Sequence, residues 1–571
     1  MPKVCAPAGF LLSLTYTGFI GAAEPLPVYR NTVPGVEYTG SKACAGCHKA
    51  IYEKFVRTPM GRSLTPAAAS GFTLPASVEM PALSRHLEVF EKDGRVFQSE
   101  TEANGGKTIF TNTQELVWAI GSGENGITFA VRRGGYLFEA PLSYYTKTRR
   151  WDLSPGYETA DEGFSRVISD ACIVCHAGRT QRAGLREGMY SNPEFAESSV
   201  GCENCHGPAQ IHVQERTRGQ GKSPDTSIVN PARLPSRLAE DICMMCHQGG
   251  QVRALLPGQE YSSFRPGTPL VRTVAIAEVA GRVKDTALLE HHDSMQISRC
   301  FEASNGRLGC LTCHDPHDQP DAAGATAYFR AKCLTCHQES SCRLTPAKRL
   351  ASVPPDNCIG CHMPRRDVGT VAHSALTDHR ITARPRQDFA RTLPATGGIP
   401  GVRVLNSRPG DPDLPLITRL EILGTLRDRD SRLNPSYLAT LEEAARKLPD
   451  DPLVLAVLGR AALDSGSSDA VPFLSRAEKV ETEKKGAARA STYSDLGDAF
   501  LRAALAAEST AALERGQAAY PWSKEIRKRL VLSYIRQKDY AKSAVALKKY
   551  VADFPEDSFM RGLLNQLEPR P

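Results

Sequence analysis

Seven copies of one pentapeptide, Cys-x-x-Cys-His, constrain this chain more than any other feature of it. They are Cys44-Ala-Gly-Cys47-His48, Cys172-Ile-Val-Cys175-His176, Cys202-Glu-Asn-Cys205-His206, Cys243-Met-Met-Cys246-His247, Cys310-Leu-Thr-Cys313-His314, Cys333-Leu-Thr-Cys336-His337 and Cys358-Ile-Gly-Cys361-His362. They use 14 of the 17 cysteines and half of the 14 histidines. At this Cys and His content chance would supply on the order of a hundredth of one such pentapeptide.

The spacing has a chemical reason. Two thiols three positions apart reach the two vinyl groups of one porphyrin, and the histidine that follows is delivered beneath the iron. The expected cofactor is therefore haem c, seven copies, with His48, His176, His206, His247, His314, His337 and His362 as proximal ligands. Structural zinc can use C-x-x-C pairs, but nothing in its chemistry demands His after every second Cys. A redox dithiol would occur once, and a disulfide scaffold would not fix a histidine. Cys300 and Cys342 bracket the fifth and sixth motifs, and either a disulfide or two buried thiols would suit them.

Low-spin electron-transfer iron takes a second strong axial ligand, usually His or Met. Seven further histidines could supply it: His86, His212, His291, His292, His317, His373 and His379. His212 follows a Gly-Pro turn after the third motif, and His317 closes Cys313-His314-Asp315-Pro316-His317. Both are expected to serve a neighbouring iron. His373 and His379 could return to cap a haem, and only one of the adjacent His291 and His292 is expected to be a ligand. His86 sits in an apparent strand, where packing or solvent is an equal reading. Met60 is an alternative distal ligand for the first haem, or simply a core residue. A haem left without a second ligand would be open to a small molecule.

Along the chain the motifs fall as one isolated site, a gap, and six close together. The expected units are a leader at 1–23, a first haem segment at 24–71, a small β-rich insert at 72–165, a six-haem core at 166–400 and a helical repeat region at 401–571. The insert reads as one hairpin around Asp93-Gly94 and another, 126–140, around Arg133-Gly134-Gly135. The expected fold is mainly α, with a haem-dominated core of little regular structure. In the last region Tyr493, Leu496, Gly497, Phe500, Ser509, Leu513 and Pro521 match tetratricopeptide spacing. Arg527, Leu530, Tyr534, Ser543, Leu547, Tyr550 and Pro555 repeat it, and a weaker unit begins near Pro452. About three repeats are expected, in an α-helical solenoid.

The leader carries Lys3, an apolar run over 9–20 and small residues to Ala23, which reads as a secretory signal. Cys5 precedes the apolar run and is badly placed as a lipid-anchor cysteine. No later stretch reads as a membrane span. The formal charge of +7 comes without a dense basic block, so nucleic acid is not the expected partner.

On residues 202–212, with C-x-x-C-H-G-P and a following His, and on 310–317, with C-x-x-C-H-D-P-H, the chain resembles a bacterial group of multihaem c-type cytochromes. These are related to cytochrome c-554 and the hydroxylamine-oxidoreductase group; here the segment, about 40–380, is fused to tetratricopeptide repeats. The resemblance implies closely stacked haems, in carriers or in enzymes that keep one haem open to nitrogen or sulfur compounds. The expectation is periplasmic or extracellular electron transfer, with a redox partner protein docking on the repeats. The alternative is a redox enzyme acting on nitrite or hydroxylamine, whose catalytic residues the sequence leaves unassigned.

Overall fold

The computed structural model describes residues 28–567 except 70, 71, 73, 159–161, 185, 282–290, 366–376 and 384–395. The leader, with Cys5, and His373 lie outside the described residues.

A mainly α fold with a small β insert is not what the chain forms. Ten strands make one antiparallel sheet: β1 (Leu64–Pro66), β2 (Ala76–Met80), β3 (Arg85–Lys92), β4 (Arg95–Asn104), β5 (Lys107–Ile120), β6 (Gly126–Arg133), β7 (Tyr136–Glu139), β8 (Leu142–Tyr145), β9 (Arg150–Leu153) and β10 (Arg166–Val167). The main path runs β10-β7-β6-β5-β4-β3-β2, with β1 on β5 and β8 joining β6 to β9. Asp93 and Gly94 turn β3 into β4 at φ 52° and 73°, the left-handed pair a two-residue hairpin needs. Gly134 and Gly135 do the same between β6 and β7.

These two hairpins are local and readable; their union is not. β5 is 14 residues long and pairs with β4 over its first part, then with β1 and β6 over its second. It fuses both hairpins into one surface, which neither could stabilise alone. The buried face holds Leu87, Val89, Leu116, Phe129, Phe138 and Leu142, each contributing about 1.5–3 kcal/mol on burial. Trp151 packs on Phe129 at 5.1 Å and Tyr144 on Trp151 at 5.5 Å, so these aromatics are core.

Nor is the region of the six clustered motifs without regular structure. β11 (Ala177–Arg182) and β12 (Tyr190–Ser199) form a hairpin, and β13 (Val252–Leu255), β14 (Val274–Val279) and β15 (Val402–Val404) a second sheet. β15 pairs with Ala277 to Val279 from far along the chain, a partnership no local pattern can announce. The motifs themselves lie in or beside short helices, among them Ser41–Ala45, Asp170–Ile173, Glu203–His206, Ser236–His247, Cys310–Cys313, Ala325–Leu334 and Cys358–His362.

Between Leu416 and Leu567 the chain is helical. Antiparallel pairs follow in order: Leu416–Arg427 with Asn434–Lys447, Pro452–Ser465 with Ala470–Lys485, Ala490–Arg502 with Ala506–Ala519, and Lys524–Arg536 with Tyr540–Asp553. The helix Ser558–Leu567 closes the stack. The last three pairs are the units whose spacing the sequence displays. A Cβ on Gly459 would lie 2.5 Å from Leu474 Cγ, and one on Gly497 2.8 Å from Leu513, so glycine sets the approach of both pairs.

Both ends of the solenoid are anchored on the rest of the chain. The first helix buries Leu420, Leu423 and Leu426 with Ala275, Ala277 and Val404 of the small sheet. Near the other end Trp522 packs edge-on against Phe138 at 5.5 Å, and Arg133 lies over its ring at 4.2 Å. Arg133 also donates to the Asp553 carbonyl at 2.8 Å, and Arg561 pairs with Glu102 at 2.6 Å.

Candidate functional site

The motif segments converge on one another. Cys44 lies beside Cys202, Cys175 beside Cys246 and Cys243 beside Cys310, near enough for each to shift its neighbour's thiol, which brings the first motif to the third, the second to the fourth and the fourth to the fifth. Cys336 acts electrostatically on Cys313, and Cys358 on Cys333, which extends the row to the sixth and seventh motifs. A cavity of about 600 Å³ runs past Cys175, Cys205, Cys243, Cys246, Cys310 and Cys313, cysteines of four motifs.

Into this row the fold carries histidines in facing pairs. His48 faces His212 with ring centroids 6.4 Å apart and planes inclined by 20°. His206 and His317 stand at 5.9 Å and 17°, and His314 and His379 at 6.2 Å and 29°. His247 and His291 are closer and crossed, at 5.4 Å and 81°, and His291 also meets His379 at 4.6 Å. Two imidazoles on opposite sides of one metal ion have centroids about 6.3 Å apart, from metal–nitrogen bonds of about 2.0–2.1 Å and roughly 1.1 Å from each nitrogen to its ring centre. Three of the pairs stand at that separation, so the residues present fit a ligated iron between them.

Backbone and carboxylate acceptors orient several of these rings. His206 Nδ1 donates to the Val229 carbonyl at 2.8 Å, His362 to Thr382 at 2.6 Å, His379 to Thr377 at 2.8 Å, and His212 to Asp225 at 3.0 Å. Fixing the proton on Nδ1 leaves the Nε2 lone pair for a metal. Desolvation lowers the pKa of His206 and His379 and takes His291 to about 3, so these rings are neutral, as ligands must be. Burial alone would raise Asp225; hydrogen bonds from Ser227 and Arg216, with His212 alongside, outweigh it and hold this carboxyl well below the usual carboxylate range.

The remaining candidates are sorted by their partners. His292 is buried and lines the same cavity as His291, but its Nε2 lies 3.0 Å from Glu240 and 3.3 Å from Gln296. His86 has Glu79 at 2.5 Å on Nδ1 and Glu88 at 3.3 Å on Nε2, on the large sheet. Met60 lines the cavity beside the second motif: the Ser63 hydroxyl lies 2.8 Å from the Met60 carbonyl and 2.6 Å from that of His176. Cys300 and Cys342 are both free thiols. Among the described residues no group of three or more His, Cys, Asp or Glu stands together as a preformed metal site.

One residue that the sequence did not single out ties the first motif to the third. Glu203, between the two cysteines of the third motif and 1% exposed, accepts from the backbone N–H groups of Thr39 at 2.9 Å, Gly40 at 2.7 Å and Ala209 at 2.7 Å. A buried charge inside a motif is its only sequence signal.

Residues 153–207, which hold the second and third motifs, match the family described as Cytochrome c554 and c-prime. No curated protein matches the chain. Among solved structures, a component of the APC/C Cut9–Hcn1 hetero-tetramer is 18% identical over 27% of this chain, with a TM-score of 0.24; the match spans 30% of that chain's length. The MamA protein is 19% identical over 26% of this chain and 85% of its own, with a TM-score of 0.21. The outer cell wall cytochrome OcwA is 13% identical over 84% of this chain and 100% of its own, with a TM-score of 0.37. Among the described residues no helix is long and apolar enough to cross a membrane. The family match supports a c-type cytochrome that carries haem c.

Proposed function

We propose that the chain is a seven-haem c-type cytochrome that transfers electrons outside the cytoplasm. When bound, haem c supplies a one-electron Fe(III)/Fe(II) couple at each site. The observation that carries this reading is the set of three histidine pairs, on the first, third and fifth motifs, that stand at the separation of two ligands to one iron. His212, His317, His291 and His379 are then the distal ligands opposite His48, His206, His247 and His314. The row of neighbouring motifs supports a continuous path from the first to the seventh. Acceptors on Nδ1 hold the rings so that little reorganises when the iron changes charge. Residues 1–23 act as the export signal, since thioether attachment retains cofactor where a free one would diffuse away. The repeats dock a redox partner on the helical surface between their two anchored ends.

A second reading is an enzyme acting on a small nitrogen or sulfur compound. It is favoured by His337 and His362, which no other imidazole faces among the described residues.

Intact mass of protein made in a host competent for cytochrome maturation tests the first reading. Seven added porphyrins and sharp low-spin bands in the reduced spectrum are expected; a mass without porphyrin ends it. Electron paramagnetic resonance separates the two. A high-spin ferric signal that shifts on adding nitrite selects the enzyme.

A further inference from the structure

Carboxylates beside the second, fourth, sixth and seventh motifs have basic partners. Asp170 pairs with Arg182 at 2.9 Å, Glu240 with His292 at 3.0 Å, Glu339 with Arg349 at 2.7 Å and Asp356 with Arg330 at 2.6 Å. Glu203, between Cys202 and Cys205 and 1% exposed, has none among the described residues. Its Oε1 accepts from the Thr39 and Ala209 N–H groups, and its Oε2 from that of Gly40. Donated N–H groups favour the carboxylate anion, and with no cation in ion-pair range its charge is not cancelled.

The charge reaches two motifs. Thr39 and Gly40 directly precede the helix Ser41–Ala45 of the first, and Glu203 itself begins the helix Glu203–His206 of the third. After Cys202 and burial, Glu203 and Glu197 push the Cys44 thiol up. Glu197 adds to the negative side of this junction: Oε1 accepts from the Ser41 N–H at 3.2 Å, and Oε2 is buried without a partner. Arg179 and Arg265 lie against the Tyr38 ring, outside ion-pair range of both carboxylates.

We propose that Glu203 tunes the row of haems: its buried charge lowers the reduction potentials of those on the first and third motifs. An anion favours Fe(III) over Fe(II), and in the protein interior water and salt screen it little. The same side chain, through its bonds to Thr39 and Gly40, fixes the first motif against the third. This role rests on haem occupying both motifs.

The test uses the haem-loaded protein, with loading checked by porphyrin mass, and the variants E203Q, E203A and E203D. Gln keeps the shape and loses the charge, Ala loses both, and Asp keeps the charge. Midpoint potentials are read by redox titration followed by electron paramagnetic resonance. The haems of the first and third motifs are those whose low-spin signals vanish in H212A and H317A. E203Q and E203A should raise both potentials and leave the others in place, while E203D stays near the wild type. Hydrogen exchange supplies a readout in the polypeptide itself: the Thr39, Gly40 and Ala209 amides should exchange slowly in the wild type and fast in E203A. Unshifted potentials in the neutral variants, or an equal shift of all haems, overturn the tuning role. So does a shift in E203D as large as in E203Q, which would trace the effect to lost packing. Fast exchange of those three amides in the wild type overturns the anchor. Missing porphyrin mass in the wild type instead overturns the haem reading, so the two failures are distinguishable.

Discussion

His48 and His212 face each other across 6.4 Å, and Asp225 holds the far side of the His212 ring at 3.0 Å. This geometry predicts a local lesion. His212→Ala should leave haem attachment intact, because Cys44, Cys47 and His48 remain, while one haem equivalent turns high-spin. Electron paramagnetic resonance of the oxidised variant reads this directly. If every haem stays low-spin, His212 is not a ligand.

The motifs were legible because thioether chemistry fixes residue type and spacing within five positions. The partners of His206 and His314 were legible only as candidates, since His317 and His379 reach them through loops whose path depends on the whole fold. What distinguishes His292 from His291 is its contact with Glu240, which comes from a different helix and leaves no local trace. Likewise the Asp93-Gly94 turn announces a hairpin, but β15 finds β14 only after the intervening chain has folded. Non-local pairing left no periodic trace, which is why the β content was underestimated.

Asp241 makes stability depend on pH. It is 2% exposed; Oδ2 accepts from the Leu270 N–H at 3.0 Å, and Oδ1 has no hydrogen-bond partner. Burial, opposed by the Leu270 bond and by Arg408 and Arg237, raises its carboxyl to about 6. The folded pKa thus exceeds the unfolded value of about 3.9, and the native state holds the proton more tightly. This contribution is full below about pH 4, falls away as pH rises to about 6, and is flat above that. Asp241→Asn should match the wild type near pH 4 and exceed it at pH 7 by up to about 2–3 kcal/mol. Denaturant titrations at pH 4, 5, 6 and 7 check this, and parallel curves for the two proteins would refute it.

Trp522 fastens the solenoid to the large sheet, against Phe138 and beneath Arg133. Trp522→Ala should cost ~2–3 kcal/mol, at the low end for an aromatic truncation because the side chain is only partly buried. The loss should be local, with faster hydrogen exchange in Lys524–Arg536 and Tyr540–Asp553 and unchanged haem spectra. Equal acceleration over Leu416–Arg427, which is anchored elsewhere, would show that the two ends are not independent.

Two helical glycines of the solenoid should respond to alanine with opposite signs. In an open helix, Gly→Ala stabilises by about 0.8–1 kcal/mol, through lower backbone entropy in the unfolded chain. Around Gly562 nothing lies within 4 Å of the new Cβ, so Gly562→Ala should realise most of that gain. At Gly497 the same methyl would meet Leu513 Cγ and Cδ2 at 2.8 Å, and Leu513 is fully buried. Overpacking of this kind costs about 1–3 kcal/mol, which outweighs the propensity gain and leaves a net loss. Thermal unfolding of the full chain should therefore rank Gly562→Ala above the wild type and Gly497→Ala below it. If Gly497→Ala proves neutral or stabilising, Leu513 can yield, and the close approach of that helix pair does not depend on glycine.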